Sequence, residues 1–437
     1  MKLNEIIRSV ITSFITSDGL RDIKRQYYEL KRKILRRPHE VHFFFQVDDP
    51  YSYLASQVIE DLEKNYQIAV KVHLVDRPNK NSAPMRKALS VYSIKDAKLI
   101  APHHGLDFQD SYKLPSKKDQ NIALRALSTS KNKITETRQI AKKLWSGNIN
   151  NIESSGITDN KINEIIEMGD KKREKLGHYQ GAMFFYGGEW YWGVDRLPFL
   201  EDRLKKLNLR KKELKSVTKF QKNISFEETM DVSHLKVEYF ISTRSPYTYL
   251  ALPEILNLKK KYKINSDIKP LMPMVMRGLP VPKDKVMYIV KDAKRESSRI
   301  GVSFGKIFDP LGDAIKRGYS LYPYAKKMNR DGEYLLEFCR LAWSEGKDMR
   351  DTNNLKRAIE NASLSWSEAS NFLDKDDWKA LIENHREELI QSGLWGVPSF
   401  RLLDNNGNEL FSSWGRDRLW LLTHEIKKYA KTRGTGS

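Results

Sequence analysis

The stretches Phe45-Gln-Val-Asp-Asp-Pro50-Tyr-Ser-Tyr-Leu-Ala55 and Ile241-Ser-Thr-Arg-Ser-Pro246-Tyr-Thr-Tyr-Leu-Ala251 carry one pattern twice, 196 residues apart. Without a gap, the same offset pairs Tyr92 with Tyr288, Asp96-Ala-Lys98 with Asp292-Ala-Lys294, Gly105 with Gly301 and Phe108 with Phe304. A register kept over that distance marks an internal repeat. Farther along, Trp192-Gly-Val-Asp-Arg-Leu197 answers Trp414-Gly-Arg-Asp-Arg-Leu419, now 222 residues apart because the second copy carries insertions. The first copy therefore spans about 40–206 and the second about 235–431. Residues 1–39 precede them, 207–234 form a Lys-, Ser- and Asn-rich linker, and 432–437 read as a flexible tail. A chain of 437 residues is also too long for one core and suits two.

Each copy opens with a short apolar run, Val41–Val47 or Val237–Ile241, of the kind that forms a buried strand. A proline then stands where the first turn of a helix needs no N–H. That helix is expected to reach about Asn65 or Lys261, and a second strand follows at 68–75 or 264–268. A long insert with helical periodicity comes next. A hairpin and a final helix close each copy, with Gly187-Gly188 and Asp404-Asn-Asn-Gly407 as the turns. The order β-α-β, helical insert, β-β-α predicts a mixed sheet covered by helices.

The chain has no run of about 18 apolar residues, which argues against a membrane-spanning helix. The stretch from Ile6 to Ile15 has no cleavage site of the signal-peptide kind, so a cytoplasmic protein is expected. Cys339 is the only cysteine, which excludes dithiol chemistry and an internal disulfide. The histidines show no metal-ligand spacing. A net charge of +21 would attract polyanions or an anionic surface. Its densest part, Arg21–Arg37, sets eight basic residues against two acidic ones among apolar positions at helical spacing. This N-terminal segment reads as a basic amphipathic helix packed on the first copy, with membrane or nucleic-acid contact as the alternative. No nucleic-acid-binding motif accompanies it.

Ser245-Pro246-Tyr247-Thr248-Tyr249-Leu250-Ala251, Gly396-Val397-Pro398-Ser399-Phe400 and Trp414-Gly415-Arg416-Asp417-Arg418-Leu419, in this order, resemble the 2-hydroxychromene-2-carboxylate isomerases and kappa-class glutathione transferases. Arg277-Gly-Leu-Pro280 and Lys285-x-x-Tyr288-x-x-x-Asp292 are similar to the insert of that family. The resemblance implies an α/β chain of two tandem thioredoxin-like (DsbA-like) domains, each with a large helical insertion. It implies glutathione as cofactor and an electrophilic or aromatic acid as substrate, reached by thiolate addition. Ser245 is then the catalytic hydroxyl that steadies the thiolate from a helix start. Pro398 takes the cis-proline place and leaves the Val397 backbone to pair with glutathione. Arg416 and Asp417 clamp the γ-glutamyl end, Arg277 and Lys285 hold an anionic substrate or the glycyl carboxylate, and Tyr247 faces the substrate. Each residue also has a plain structural role open to it: Ser245 as a helix cap, Asp417 as a cap or a partner of Arg418, Cys339 as a small buried side chain.

The first copy departs from this pattern, with Asp49 in place of Ser245 and Ala182 in place of Pro398. A carboxylate repels a thiolate by roughly 1 to 4 kcal/mol at contact. The first copy is therefore expected to be degenerate and to serve as the second half of a pseudo-dimer within one chain, since the family pairs as dimers. The opposing reading is a non-catalytic thioredoxin-like scaffold that binds a protein at the Pro398 edge, or an anionic surface through 21–37.

Overall fold

A computed structural model describes residues 2–149, 152, 156–211, 215–222 and 230–432. Two helices open the chain, α1 (Lys2–Ile15) and α2 (Asp18–Ile34). There follow β1 (Glu40–Phe45), α3 (Pro50–Ser56), α4 (Ile59–Asn65), β2 (Ala69–Leu74), α5 (Arg86–His104), α6 (Lys117–Thr129), α7 (Lys133–Trp145) and α8 (Asp159–Lys175). The hairpin β3 (Met183–Tyr186) and β4 (Glu189–Trp192) leads into α9 (Gly193–Lys206). After β5 (Met230–Asp231) the order recurs as β6 (Lys236–Ile241), α10 (Pro246–Tyr262) and β7 (Asn265–Pro270). The second insert holds α11 (Lys283–Ile300), α12 (Asp313–Ser320), α13 (Tyr322–Lys327), α14 (Asp331–Trp343), α15 (Thr352–Asn361), α16 (Trp366–Ala369) and α17 (Trp378–Gln391). β8 (Ser399–Leu403), β9 (Glu409–Trp414), α18 (Leu419–Tyr429) and β10 (Lys431–Thr432) complete the chain. The expected tail beyond Thr432 and parts of the expected linker lie outside the described residues.

The strands form two four-stranded sheets of one topology, β2-β1-β3-β4 and β7-β6-β8-β9. In each, the first two strands in sequence are parallel and the hairpin strands antiparallel. Phe43, Phe44 and Phe45 are all buried, as are Tyr239, Phe240 and Ile241, which is how a strand covered on both faces reads in sequence. Equivalent hydrogen bonds recur as well. Tyr51 donates to Asp96 at 2.8 Å and Tyr247 to Asp292 at 2.7 Å. Gly193 N–H donates to Ala182 O, and Gly415 N–H to Pro398 O, both at 2.8 Å.

The chain divides into two compact units, and the division is not linear. The first unit holds Arg21–Gln221 with Pro282–Tyr288; the second holds Met1–Leu20, Lys222–Val281 and Ile289–Ser437. The basic helix from Arg21 lies in the first unit, as expected, whereas α1 is fastened to the second, where Thr12 Oγ1 accepts from Ile307 N–H at 2.8 Å and Glu5 from Asp348 N–H at 2.8 Å. The segment 282–288 sits in the first unit, where Tyr288 packs against Phe44, Val75, Met183 and Phe185. Its counterpart in the first copy, Tyr92, donates its hydroxyl to Asp96 at 3.3 Å.

One further expectation is corrected. The first-copy helix does not run unbroken to Asn65 but stops at Ser56 and restarts at Ile59. At the break the Gln57 side chain meets the Asp107 backbone, its Nε2 donating to Asp107 O and its Oε1 accepting from Asp107 N–H, each at 2.8 Å. Its equivalent in the second unit continues to Tyr262. Among the described residues no helix is long and apolar enough to cross a membrane.

Candidate active site in the second unit

The register Phe240↔Ser399 sets the exit of β6 beside the entry of β8. Ser245 follows the first, and Pro398 precedes the second. Ser245 caps α10 with extended backbone, and its Oγ accepts from Thr248 N–H at 3.3 Å. The cap uses a lone pair and leaves the hydroxyl proton available to donate. The preceding turn is tied from behind, because Thr243 O accepts from Trp343 Nε1 at 2.9 Å and Tyr319 OH accepts from Thr243 N–H at 3.3 Å. Arg244, next to the serine, is held bidentately by Asp309 at 2.9 and 2.8 Å.

The Val397–Pro398 bond is cis. Gly396 lies so close under the Trp414 indole that a Cβ there would come within 2.3 Å of it, so only glycine fits. Neither backbone polar group of Val397 bonds to another described residue. The bond from Gly415 N–H to Pro398 O joins this loop to the turn Arg416–Arg418, a short 3-10 turn ahead of α18. Val397, Pro398, Arg416 and Asp417 are thereby brought together. Arg277 joins them: its Nη2 donates to Trp395 O at 3.4 Å, and its Nε is buried without a partner. Burial, and then the charge of Arg386, hold the Arg277 guanidinium below its usual value, the condition an anion would relieve.

Three expectations fare differently. Lys285 groups with the first unit, where its ammonium donates to Ser82 O at 3.0 Å. The reason is the transfer of 282–288, which carries the start of α11 with it. Tyr247 has its hydroxyl committed to Asp292, which Arg295 also contacts at 2.8 Å, so it positions the insert and is not turned to a substrate. The side chain of Arg416, buried, bonds Glu296 at 2.9 Å and Glu254 at 3.4 Å through its two Nη atoms, while its Nε is buried without a hydrogen-bond partner. Glu254 and Glu296 were not picked out from sequence, because nothing in their spacing relates them to a residue 120 or more positions away.

Cys339 is fully buried, and burial pushes its thiol far above the usual value. A cavity of about 630 Å³ elsewhere in the second unit, lined by Met272, Asp313, Arg317, Trp378 and Ile382 among others, includes none of the residues above.

In the first unit the same place is built differently. Asp49 caps α3, accepting from Tyr51 N–H at 3.3 Å, Ser52 N–H at 3.0 Å and Ser52 Oγ at 2.8 Å. Burial pushes its carboxyl up to about 7, against the Ser52 hydrogen bond and with help from Asp48. Ala182 has φ 54° and donates its N–H to Ser52 Oγ at 2.9 Å, a bond that proline cannot make.

Residues 236–427 match the family model of the DSBA-like thioredoxin domain. This thioredoxin-like domain thus begins at β6 and ends within α18. The chain is also similar to a structure of 2-hydroxychromene-2-carboxylate isomerase, with 20% identity and a TM-score of 0.37, over 44% of this chain and 95% of that one. A putative protein disulfide isomerase from Nitrosomonas europaea is similar at 15% identity and a TM-score of 0.36, over 45% and 100%. The cytosolic disulfide reductase DsbM from Pseudomonas aeruginosa with GSH gives 15%, 0.33, and 44% and 96%. No curated protein matches the chain. The fold assignment rests on the family match and on the strand order.

Proposed function

We propose that the second unit is a glutathione-dependent isomerase of the 2-hydroxychromene-2-carboxylate isomerase type, or a related glutathione transferase, acting on an electrophilic or aromatic acid. The observation that carries this reading is Ser245: its oxygen accepts a backbone N–H while its proton stays available, beside a loop whose Val397 backbone is unbonded. The residues present fit a peptide thiol. When bound, glutathione supplies the nucleophilic sulfur that a chain with one buried cysteine lacks. Ser245 donates to that sulfur, and the start of α10 adds positive potential. The Val397 backbone pairs with the peptide, the turn at Arg416 and Asp417 receives the γ-glutamyl end, and Arg277 attracts a carboxylate.

On this reading the first unit, with Asp49 in the serine's place, is the companion half of an intramolecular pseudo-dimer and binds no glutathione. Titration calorimetry of the full chain with glutathione tests it. Binding of one molecule per chain is expected, weakened at least about 10-fold by Ser245→Ala, since a hydrogen bond to a charged group contributes roughly 1.5–3 kcal/mol. Absence of binding would leave the scaffold reading in its place.

A further inference from the structure

Both opening helices present their apolar faces to solvent. On α1, Leu3, Ile7, Val10 and Phe14 recur at the spacing of one helix face and range from 47% exposed at Ile7 to 70% at Leu3. Ile6 and Ile11 widen the band and are also exposed. The opposite, polar face is the fastened one: Glu5 and Thr16 are buried, with Thr16 Oγ1 donating to Gly305 O at 3.2 Å. A surface helix ordinarily packs the other way round. On α2, Ile23, Tyr27, Leu30 and Ile34 keep the same spacing and are 59–70% exposed. The helix is held instead by Arg25, paired with Glu189 at 2.8 Å, and by Tyr28, whose ring meets Phe185 at 5.9 Å. Monomeric proteins rarely leave such stripes uncovered.

We propose that α2 on the first unit, and independently α1 on the second, each dock through their own apolar stripe on an anionic lipid surface. The charge beside the α2 stripe selects this occupant. At 3.6 residues per turn, Lys24 and Lys31 flank the stripe on one side and Gln26 and Lys33 on the other. Paired helix to helix through this stripe, a second copy would set lysines against lysines at the flanking positions, which disfavours it. A nucleic acid would answer the lysines and leave the apolar stripe wet. An anionic bilayer answers both, taking Ile23, Leu30 and Ile34 into the acyl boundary and the lysines into the headgroups. The exposed basic residues Arg36 and Arg37 continue the charge just past the helix. This inference does not depend on the reading of Ser245.

Co-sedimentation of the full chain with vesicles tests it, comparing phosphatidylcholine alone with phosphatidylcholine containing about 30% phosphatidylglycerol. Binding to the anionic vesicles is expected to be at least about 10-fold stronger and to fall in roughly 0.5 M salt. Val10→Gln with Phe14→Gln, and separately Lys31→Glu with Lys33→Glu, should each weaken it about 10-fold. All four positions are exposed, so the near-ultraviolet circular dichroism of both variants should match the parent. The proposal is overturned if the parent chain ignores anionic vesicles, binds neutral ones equally, or is unaffected by both pairs of substitutions. It is equally overturned if the chain self-associates in sedimentation velocity and Val10→Gln with Phe14→Gln abolishes that association without changing vesicle binding, which would assign the stripe to a second copy.

Discussion

Asp49 and Ser245 stand at the same point of two similar frames, and both cap a helix. What separates them is the proton. Ser245 keeps one to give whatever the pH; Asp49 has one only below its own titration. Replacing Ser245 by Ala removes the cap as well as the donor and should cost roughly 0.5–2 kcal/mol in urea unfolding. Ser245→Asp, which copies the first unit, should restore the cap and still fail to bind glutathione, a contrast that separates a structural from a functional loss. For Asp49 the sign follows from its raised value. Folding favours the neutral carboxyl, so its contribution is complete below about pH 4 and is lost as pH rises toward 7. Asp49→Asn stays neutral throughout and still caps. Its stability advantage over the parent should grow from pH 4 to 7, to on the order of 4 kcal/mol for a carboxyl raised by about three pH units, and then level off, as read by denaturant titration at a series of pH values.

Among the elements, β6 and its neighbours carry a buried ionic cluster. Register places Glu238 opposite Asp267 on β7 and Arg401 on β8. Lys269 donates to Glu238 at 2.7 Å and also pairs with Glu388, while Arg401 reaches Glu238 at 3.0 Å. Burial alone would raise the Glu238 carboxyl, but Lys269 and Arg401 outweigh it and hold it low. Glu238→Leu leaves the buried Lys269 and the half-buried Arg401 each short of a partner and should cost about 3 kcal/mol in urea unfolding. In the first unit β1 and β2 carry a neutral pair instead, His42 and His73 at 3.0 Å, held by burial at about 4 and about 3. Their contribution is full above about pH 6.5 and is lost as pH falls toward 4. His73→Phe, whose ring would take over the stacking on Phe44, should flatten the acid limb of unfolding followed by circular dichroism.

Element order was the legible part of the sequence, because strand and helix periods and the turn Asp404-Asn-Asn-Gly407 are local signals. The closeness of Pro398 to Arg416 and Asp417 follows from the hairpin that joins them, and so was also within reach. What stayed hidden depends on distant partners. The Gln57 side chain meets the backbone of Asp107, and the Lys285 ammonium meets Ser82 O. The face that α1 presents is decided by hydrogen-bond partners about 300 residues away. Periodicity draws the stripe on α1 and α2 but cannot say which side meets water.

On the scale of the whole molecule, the chain runs into each unit more than once, since residues 1–20 belong with the later sheet and 282–288 with the earlier one. A protease site introduced at 223–229 and cleaved should therefore give two fragments that still elute as one species in gel filtration. Mixing separately produced halves should recover that species, whereas either half alone is expected to be poorly soluble. Scission of the backbone between the sheets is then not separation: like two links of a clasp, each portion retains a piece that the other needs in order to close.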